Sequence, residues 1–359
     1  MATTNYPAGH ALAVQHWSKE LFKEALSQTS ALQFISKSKS NVIQLKTETN
    51  KEAGDTITFG LRMQLTGAGI SGDGTLEGNE EALTTYSENI IIDQLRHGVR
   101  SQGKMSQQRV HFSVREEAKD GLADWWADRI DSAFFNQLGG AKHVQSHDVR
   151  YFGMQATTDT ISAGDTDHVF YPNGQTSEAT VASDSISSIF KLVWLDGVVA
   201  QAKTISPLIR PIKIRGQDHY VCFLHPRQVE DLRTDTGQNN WNAIQQAAMQ
   251  GGQVTKNPLF TGALGMYNNV ILFENTRVPT ANVTPSAGGV RRAIFAGAQA
   301  GCMAFGRGSG LNTLDWGEKL FDYDNQLGVK AGMIWGLIKT RFNSLDFGTI
   351  IIPTYTTNA

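Results

Sequence analysis

The feature that most constrains this chain is one stretch in its first half, residues 113–138 (SVREEAKDGLADWWADRIDSAFFNQL). Ser113 is followed three positions later by Glu116, the capping-box spacing that begins a helix. Gly139 and Gly140 follow the stretch, and glycine adopts the left-handed conformation that ends a helix at low cost. At about 1.5 Å per residue, the stretch predicts a single helix of roughly 39 Å.

Steps of three and four between apolar residues predict that one stripe of this helix is buried. The stripe consists of Val114, Ala118, Leu122, Trp125, Trp126, Ile130, Phe134 and Leu138. We expect four of them, Leu122, Trp125, Trp126 and Ile130, to form the core of the helix packing. The opposite face carries Arg115, Glu117, Lys119, Asp120, Asp124, Asp128 and Asp131. Two interpretations are open, a core helix of an ordinary α+β domain or a spine that carries sheets and arms.

Composition excludes some classes of protein. The 359 residues carry a net charge of −2, so there is no global basic field to attract nucleic acid. Charged residues make up 18%, below the usual ~25%, which suits a protein that hides surface against partners. Cys222 and Cys302 lie in apolar runs, which favours buried thiols in a reducing compartment. We predict no signal peptide and no membrane association, because no apolar stretch is long enough.

The first 55 residues have the character of an arm. Residues 12–26 predict a moderately amphipathic helix, and residues 36–50 are polar and rich in lysine with no periodicity. A frayed terminus is one interpretation. The other is an arm that becomes ordered only on a neighbouring subunit.

Two runs of β-rich composition follow, residues 56–65 and 83–95. The segment between them, TGAGISGDGTLEGNEEA, contains five glycines and is far longer than a hairpin turn of about 2–5 residues. We interpret the whole as an extended hairpin with a flexible acidic tip. The tip residues expected to contact a neighbouring subunit are Gly67, Gly69, Gly72, Asp73, Glu77, Glu80 and Glu81.

The tip contains the pattern G-x-G-x-x-G at Gly67, Gly69 and Gly72, which in other proteins binds dinucleotides. That function requires a helix N-terminus at the third glycine. Here Asp73 and Glu77 follow, which favour no helix and repel phosphate. We therefore predict no nucleotide cofactor.

A locally basic segment, residues 96–115, joins the hairpin to the long helix. It has few interleaved aromatic residues, so a structural role opposite the acidic hairpin is favoured over contact with nucleic acid.

Residues 185–315 predict a compact α/β region, and residues 316–353 predict long strands. Within that tail, both alternating faces of residues 328–338 are largely apolar, which indicates a strand covered on both sides.

We find no sequence motif for catalysis. There is no phosphate-binding loop, no nucleophile elbow, no H-E-x-x-H and no paired-cysteine motif. His143 and His147 have the spacing of two metal ligands on a helix, but no third ligand accompanies them at a diagnostic spacing. We expect no enzyme activity, no cofactor and no metal.

Several longer segments carry a family resemblance. They are GDTITFGLRMQL, TLEGNEEALTTY, IDQLRHGVRS, FSVREEAKDGLADWWADRID, FLHPRQVEDLRT, NPLFTGALGMYNNV and FGTIIIPTY. Together with the order of arm, long hairpin, spine helix, mixed α/β region and closing strands, they resemble the major capsid proteins of tailed bacteriophages. That family has the HK97-type coat fold. The sequences of the quoted segments are similar to those of its N-four-type podophage members. The resemblance covers nearly all of the chain, and residues 141–183 are the least similar part.

The resemblance implies an α+β fold with defined parts. They are an N-arm at 1–55, an E-loop hairpin at 56–103, a P-domain at 104–184 that contains the spine helix at 113–138 and a loop-rich segment, an A-domain at 185–315, and closing P-domain strands at 316–359. It also implies hexamers and pentamers that form an icosahedral virion capsid around double-stranded DNA, assembled in the bacterial cytoplasm. A portal, a scaffold and a cement protein are the implied partners, and the DNA contacts on the inner face are expected to be weak.

Some shells of this fold are locked by an isopeptide bond from a hairpin lysine. Residues 66–82 contain no lysine, so we expect a shell held by non-covalent contacts. Two alternatives remain open at the level of sequence, a non-viral encapsulating shell of the same fold and, with less support, a nucleotide-binding enzyme.

Overall fold

A computed structural model of the chain describes residues 31–48, 54–110, 112–141, 160–214, 216–234, 264–281, 289–310 and 314–356. The helix predicted at 12–26 and the pair His143 and His147 lie outside these residues. The chain divides into two compact units. The described part of the smaller unit comes from Arg96–Trp126 and Asp315–Gly332, and that of the larger unit comes from Thr29–Leu95, Ala127–Leu314 and Met333–Ala359.

The described α-helices are α1 Lys104–Gln108, α2 Val114–Gly139, α3 Glu178–Asp184, α4 Leu192–Thr204 and α5 Pro226–Thr234. Single 3₁₀ turns occur at Ala31–Phe34, Thr166–His168, Pro172–Gly174 and Ser185–Ser188. The strands are β1 Ile35–Ser36, β2 Ile43–Lys46, β3 Thr56–Arg62, β4 Thr85–Ile91, β5 Asp93–Arg100, β6 Ile212–Ile214, β7 Gln217–Leu224, β8 Gly265–Tyr267, β9 Val270–Glu274, β10 Gly289–Ala296, β11 Gly301–Phe305, β12 Asp315–Phe321, β13 Gln326–Lys339, β14 Arg341–Phe342, β15 Leu345–Asp346 and β16 Thr349–Thr356.

The long helix α2 begins and ends where its local sequence signals lie. The backbone N–H of Glu116 donates to Ser113 Oγ over 3.3 Å, which is the bond of the predicted cap. Gly140 follows the helix with φ +62°. A Cβ at this position would lie 2.7 Å from the carbonyl oxygen of Ser162, so only glycine fits the end of the helix.

The charged face predicted for this helix is wrong in its second half. Every residue from 130 to 139 is buried, and Asp128 and Asp131 have only 8% and 0% of their surface exposed. Arg277, itself 1% exposed, ion-pairs with both carboxylates, which is why two acidic residues can lie inside the protein. The amphipathic pattern therefore describes only the first half of the helix.

The core of the larger unit forms around a sheet with strand order β16-β10-β7-β9-β8. All eight residues of β10 and of β16 are buried, and the two strands pair antiparallel along their whole length. One hydrophobic cluster packs side chains of this sheet against α4 and α5, including Leu195, Val198 and Val229. Strands β7 to β10 and helices α4 and α5 lie within residues 185–315, where the sequence predicts a compact α/β region.

Part of the predicted N-arm is built into a second sheet of the larger unit. Strands β1 and β2 are parallel, and β2 pairs parallel with β11 from Ile43↔Gly301 to Lys46↔Ala304. Ile43 has no exposed surface, so this segment contributes to the core. The polar character of residues 36–50 concealed a short strand, since only one face of it needs to be apolar.

The predicted hairpin is present in the larger unit. Strands β3 and β4 pair antiparallel from Thr56↔Ile91 to Arg62↔Thr85. At the base, apolar side chains of the hairpin pack with Cys302 and Ala304 of β11. Beyond the last pair, residues 64–83 contain turns but no helix or strand, and all of them are exposed.

The smaller unit is a helix packed on a β-hairpin. Strand β12 pairs antiparallel with the first half of β13, from Asp315↔Gly332 to Phe321↔Gln326, and β5 also pairs with β13. Arg115 of α2 forms a salt bridge with Glu318 over 2.7 Å.

Among the described helices, none combines the length and the apolarity that crossing a bilayer requires.

Candidate inter-subunit surfaces

The acidic tip of the hairpin, residues 66–82, is the first candidate surface. Its conformation is set by hydrogen bonds between residues that are close together in the sequence. Gly69 and Gly72 have φ values of +71° and +63°, where a side chain would be strained. Asn79 donates from Nδ2 to the carbonyl oxygen of Thr75 over 3.0 Å, and the Gly78 N–H donates to Glu80 over 2.8 Å. These bonds give the tip a shape without any core of its own.

Glu81 closes the loop at its base. Its carboxylate accepts hydrogen bonds from the backbone N–H of Thr66 over 2.8 Å and of Gly67 over 2.6 Å. These two bonds stabilise the ionised form, so the pKa of Glu81 is lowered below its usual value. A Cβ at Gly67 would lie 2.8 Å from Glu81 Oε2, so a larger residue here would require the carboxylate to shift. The first glycine of the G-x-G-x-x-G pattern thus donates its backbone N–H to a carboxylate of the same chain.

Two other acidic residues of the tip, Asp73 and Glu77, do not stabilise the loop as Glu81 does. Asp73 and Glu77 are exposed, and they have no hydrogen bond or ion pair within the described part of the chain. No helix follows Gly72, so the geometry that holds a pyrophosphate is absent from this loop. The carboxylates are available to a cation on another molecule.

Sequence reasoning missed the apolar part of the tip and its base. Four large hydrophobic side chains are exposed there, at fractions of 42–60%: Leu65, Ile70, Leu76 and Leu83. Exposed apolar patches mark interaction sites, so these side chains are candidates for a contact with another molecule. The signal was present in the sequence, as leucine and isoleucine scattered through a loop otherwise made of glycine and acidic residues.

The core of the long helix is the second region predicted to be functional. The structure buries Leu122, Trp126 and Ile130, which are 1%, 2% and 5% exposed. Trp125 is half-buried, and its ring stacks on His97 with the ring centroids 4.5 Å apart. The two tryptophans meet edge to face at 5.2 Å. The adjacent tryptophans therefore have different environments, which the helical period alone did not separate.

A buried ionic cluster holds this helix to the rest of the larger unit. Arg277 Nη1 lies 2.9 Å from Asp131 Oδ2, and Nη2 contacts Asp128. The backbone N–H of Ala31 donates to the other oxygen of Asp131 over 2.8 Å. Asp131 thus binds both Arg277 and the backbone of the segment at Ala31. No sequence signal identified Arg277, because its partners are far away along the chain.

The described residues contain no group of three or more histidine, cysteine or acidic side chains placed to hold a metal ion. The two cysteines are buried, and burial raises the pKa of both thiols, so neither is a reactive nucleophile. The structure presents an exposed hairpin tip together with packed helices and mixed sheets.

Comparison with known proteins agrees with that architecture. A family described as phage capsid protein matches residues 5–358. A major capsid protein of Pseudomonas phage KPP25 is 30% identical over 365 aligned positions, which cover 93% of each chain. The capsid of Ralstonia phage GP4 has 33% identity and a TM-score of 0.81, covering 99% of this chain and 98% of that one.

Solved structures of lower identity share the fold. The capsid of cyanophage Pam1 is 20% identical with a TM-score of 0.77, and it covers 99% of this chain and 100% of that chain. The head of Helicobacter pylori bacteriophage KHP40 is 14% identical with a TM-score of 0.67, covering 99% and 98%. The HK97-type α+β fold expected from the sequence is therefore confirmed. The chain belongs to the phage capsid protein family, as a major capsid protein that has a structural rather than an enzymatic role in the virion shell.

Proposed function

We propose that copies of this chain assemble as hexamers and pentamers into an icosahedral shell that encloses double-stranded phage DNA. The observation that carries the proposal is the hairpin tip, which is exposed along residues 64–83 and combines apolar side chains with unpaired carboxylates. A hairpin of this length has too little core to remain rigid alone. It gains stability when it lies on a neighbouring subunit.

The binding free energy of such a contact comes from its apolar side chains. Burying apolar surface contributes about 25 cal/mol per Å². Leu65, Ile70, Leu76 and Leu83 offer that surface, while Asp73 and Glu77 offer specificity through charge. A shell is well served by many modest contacts of this kind, because each association costs several kcal/mol in lost freedom.

The parts of the chain take the roles of the coat fold. We assign residues 1–55 to the N-arm, 56–103 to the E-loop, 104–184 with 316–359 to the P-domain, and 185–315 to the A-domain. Residues 31–48 support a modified boundary, because they pair with β11 and contribute to the core. We therefore propose that the N-arm ends before residue 31.

Further partners are proposed from the same role. A portal, a scaffold and a cement protein would act with this chain during assembly in the host cytoplasm. The DNA would meet the inner face through weak contacts, since the net charge of −2 supplies no strong attraction to phosphate.

Expression of the full chain in bacteria tests the proposal, with particles counted by negative-stain electron microscopy. Closed shells are expected from the wild-type chain, and a high-resolution map should place residues 66–82 against a different copy. Soluble chains that never associate, with or without the phage's own scaffold, would contradict the proposed function.

A loop variant tests the contact itself. Replacing Ile70 and Leu76 by serine should lower the yield of shells, because it removes apolar side chains that are 42% and 60% exposed in the single chain. The matched control is Val193→Ser, which alters a residue 59% exposed outside the hairpin. A wild-type yield of shells from the loop variant would remove the hairpin from the assembly contact.

A further inference from the structure

A cavity of about 300 Å³ lies in the larger unit, where strand β3 of the hairpin meets the sheet that contains β2 and β11. Its walls come from segments that are far apart in the chain. They are β2, β3, β11, β14 and the residues just before β6 and just after β13. That volume is at the lower end of the roughly 300–1,000 Å³ of pockets that hold small ligands. The cavity is therefore large enough for a small molecule or ion.

Positive charge is concentrated around this cavity. Four basic residues line it and no acidic residue does: Lys39, Lys46, Arg62 and Arg210. We call it the basic cavity. None of the four forms an ion pair with another described residue. Glu48 and Glu88 are near enough to influence the buried Cys302, but with both counted the positive charges are still in excess. Because like charges repel, an anion between the four basic residues is stabilised.

Neutral hydrogen-bond donors also line the basic cavity. Gln299 Nε2 donates to Gln44 Oε1 over 2.8 Å, and the amide N–H groups of Gln44 make no bond within the described part of the chain. Thr340, which is 3% exposed, adds a hydroxyl group. Gln299 has a φ of +58°, which non-glycine residues rarely adopt and which recurs where a ligand is held. Cations together with such donors are the groups that bind phosphate oxygens.

One side of the basic cavity is aromatic. The rings of Phe59 and Phe342 meet edge to face with their centroids 6.0 Å apart, and those of Phe342 and Phe347 do so at 5.4 Å. Lys46 Nζ lies 5.4 Å from the centroid of the Phe59 ring, so one of the cations is placed beside this apolar side. Apolar surroundings lower the local dielectric constant, which strengthens the attraction between the cations and an anion.

We propose that the basic cavity binds a small polyphosphate anion, a chain of two or three linked phosphate groups. Four basic residues match the several negative charges of such an ion better than the charge of a single phosphate. The bound anion contacts β2 and β3 at once, so it links the hairpin to the sheet of the larger unit. This inference goes beyond the proposed function, because it concerns a small ligand of the unassembled chain.

Calorimetric titration of the full-length unassembled chain with sodium triphosphate tests the site, at about 0.15 M salt so that distant charges are screened. Wild-type chain should bind one anion. Lys46→Met and Arg210→Met should each weaken binding about tenfold or more, because each removes a charge-assisted hydrogen bond. The matched control is Lys203→Met, which removes the same charge from an exposed position of α4 outside the cavity and should bind as wild type does. No binding by the wild-type chain, or equal loss in the control, would overturn the proposal.

Hydrogen exchange shows where the anion binds. Triphosphate should slow the exchange of backbone amides in β3 and leave α4 unchanged, because only β3 contributes to the walls of the cavity. In Lys46→Met the same concentration of triphosphate should protect β3 less. Unchanged exchange in β3 of the wild-type chain, at a concentration that saturates the calorimetric signal, would place the anion elsewhere and overturn the site.

The DNA backbone is the other source of phosphate groups, and a short labelled duplex serves as its probe. Triphosphate should bind to the wild-type chain in the absence of DNA. A duplex that binds and is lost in Lys46→Met, with no binding of triphosphate, would assign the cavity to DNA and overturn the proposal. Each binding measurement uses unassembled chains, so its outcome is separate from that of the proposed function, which fails only if no shells form.

Discussion

Arg277 donates a hydrogen bond from Nη1 to Asp131 Oδ2 over 2.9 Å, between residues 146 positions apart in the chain. Both side chains are almost completely buried, at 1% and 0% exposure. The same Asp131 accepts the backbone N–H of Ala31. One carboxylate on the long helix therefore connects two distant segments of the larger unit.

Replacing Arg277 by methionine should destabilise the unassembled chain by about 3–5 kcal/mol, because two buried carboxylates lose their partner. Urea unfolding followed by circular dichroism measures the change. The matched control is Arg227→Met, which breaks an exposed pair with Glu230 whose members are 48% and 52% exposed. That control should change stability by no more than about 1 kcal/mol. Equal midpoints for the two variants would show that the buried cluster contributes no stability.

The two adjacent tryptophans should differ in the cost of truncation. Trp126→Ala should cost about 3–5 kcal/mol, because Trp126 is 2% exposed and its removal leaves a cavity. Trp125→Ala should cost less, since its ring is half-buried and stacks on His97. Thermal unfolding of each variant checks the order. If both variants have wild-type stability and assemble normally, the helix is not the spine of the fold.

The closure of the hairpin loop should depend on acid pH. Hydrogen bonds from the backbone N–H groups of Thr66 and Gly67 lower the pKa of Glu81. The ionised Glu81 therefore stabilises the closed loop fully above the ordinary pKa of 4.5, and this stabilisation is lost as the pH falls through the lowered pKa. The Gly67 amide resonance should therefore titrate with a midpoint below 4.5. In Glu81→Gln this transition should be absent. A midpoint above 4.5 in the wild-type chain would contradict the role given to these bonds.

Mature particles should contain no covalent link between copies. Residues 66–82 provide no lysine nucleophile, and the buried Cys222 and Cys302 have raised thiol pKa values. Particles boiled in denaturant with reductant should give one band near 39.3 kDa. A ladder of multimers of this chain on that gel would refute the prediction.

Unassembled subunits should bind DNA feebly. With a net charge of −2, phosphate contacts are few, and at about 0.15 M salt they are screened beyond about 8 Å. Fluorescence anisotropy with a labelled duplex should give binding no tighter than the roughly 10⁻⁴ to 10⁻⁶ M typical of non-specific contacts. A steep salt dependence with high affinity is the result that would exclude this prediction.

The sequence by itself determined the features that depend on near neighbours along the chain. The serine cap and the closing glycine gave helix α2 its ends, and the length of the glycine-rich segment identified an extended hairpin. The similarity of several long sequence segments to major capsid proteins indicated the family. These signals are local, because capping bonds, turn conformations and β-strand composition involve residues a few positions apart.

Only the tertiary structure decided which polar residues are buried and which apolar residues are exposed. Asp128 and Asp131 occupy positions that the helical period assigns to a solvated face. Both are nevertheless buried, because each forms an ion pair with Arg277. Leu76 has the character of a core residue, yet it is 60% exposed in the hairpin tip. In each case the environment of the side chain is set by segments that are distant in sequence. Burial free energy depends on those partners, so periodicity within a single segment cannot specify it.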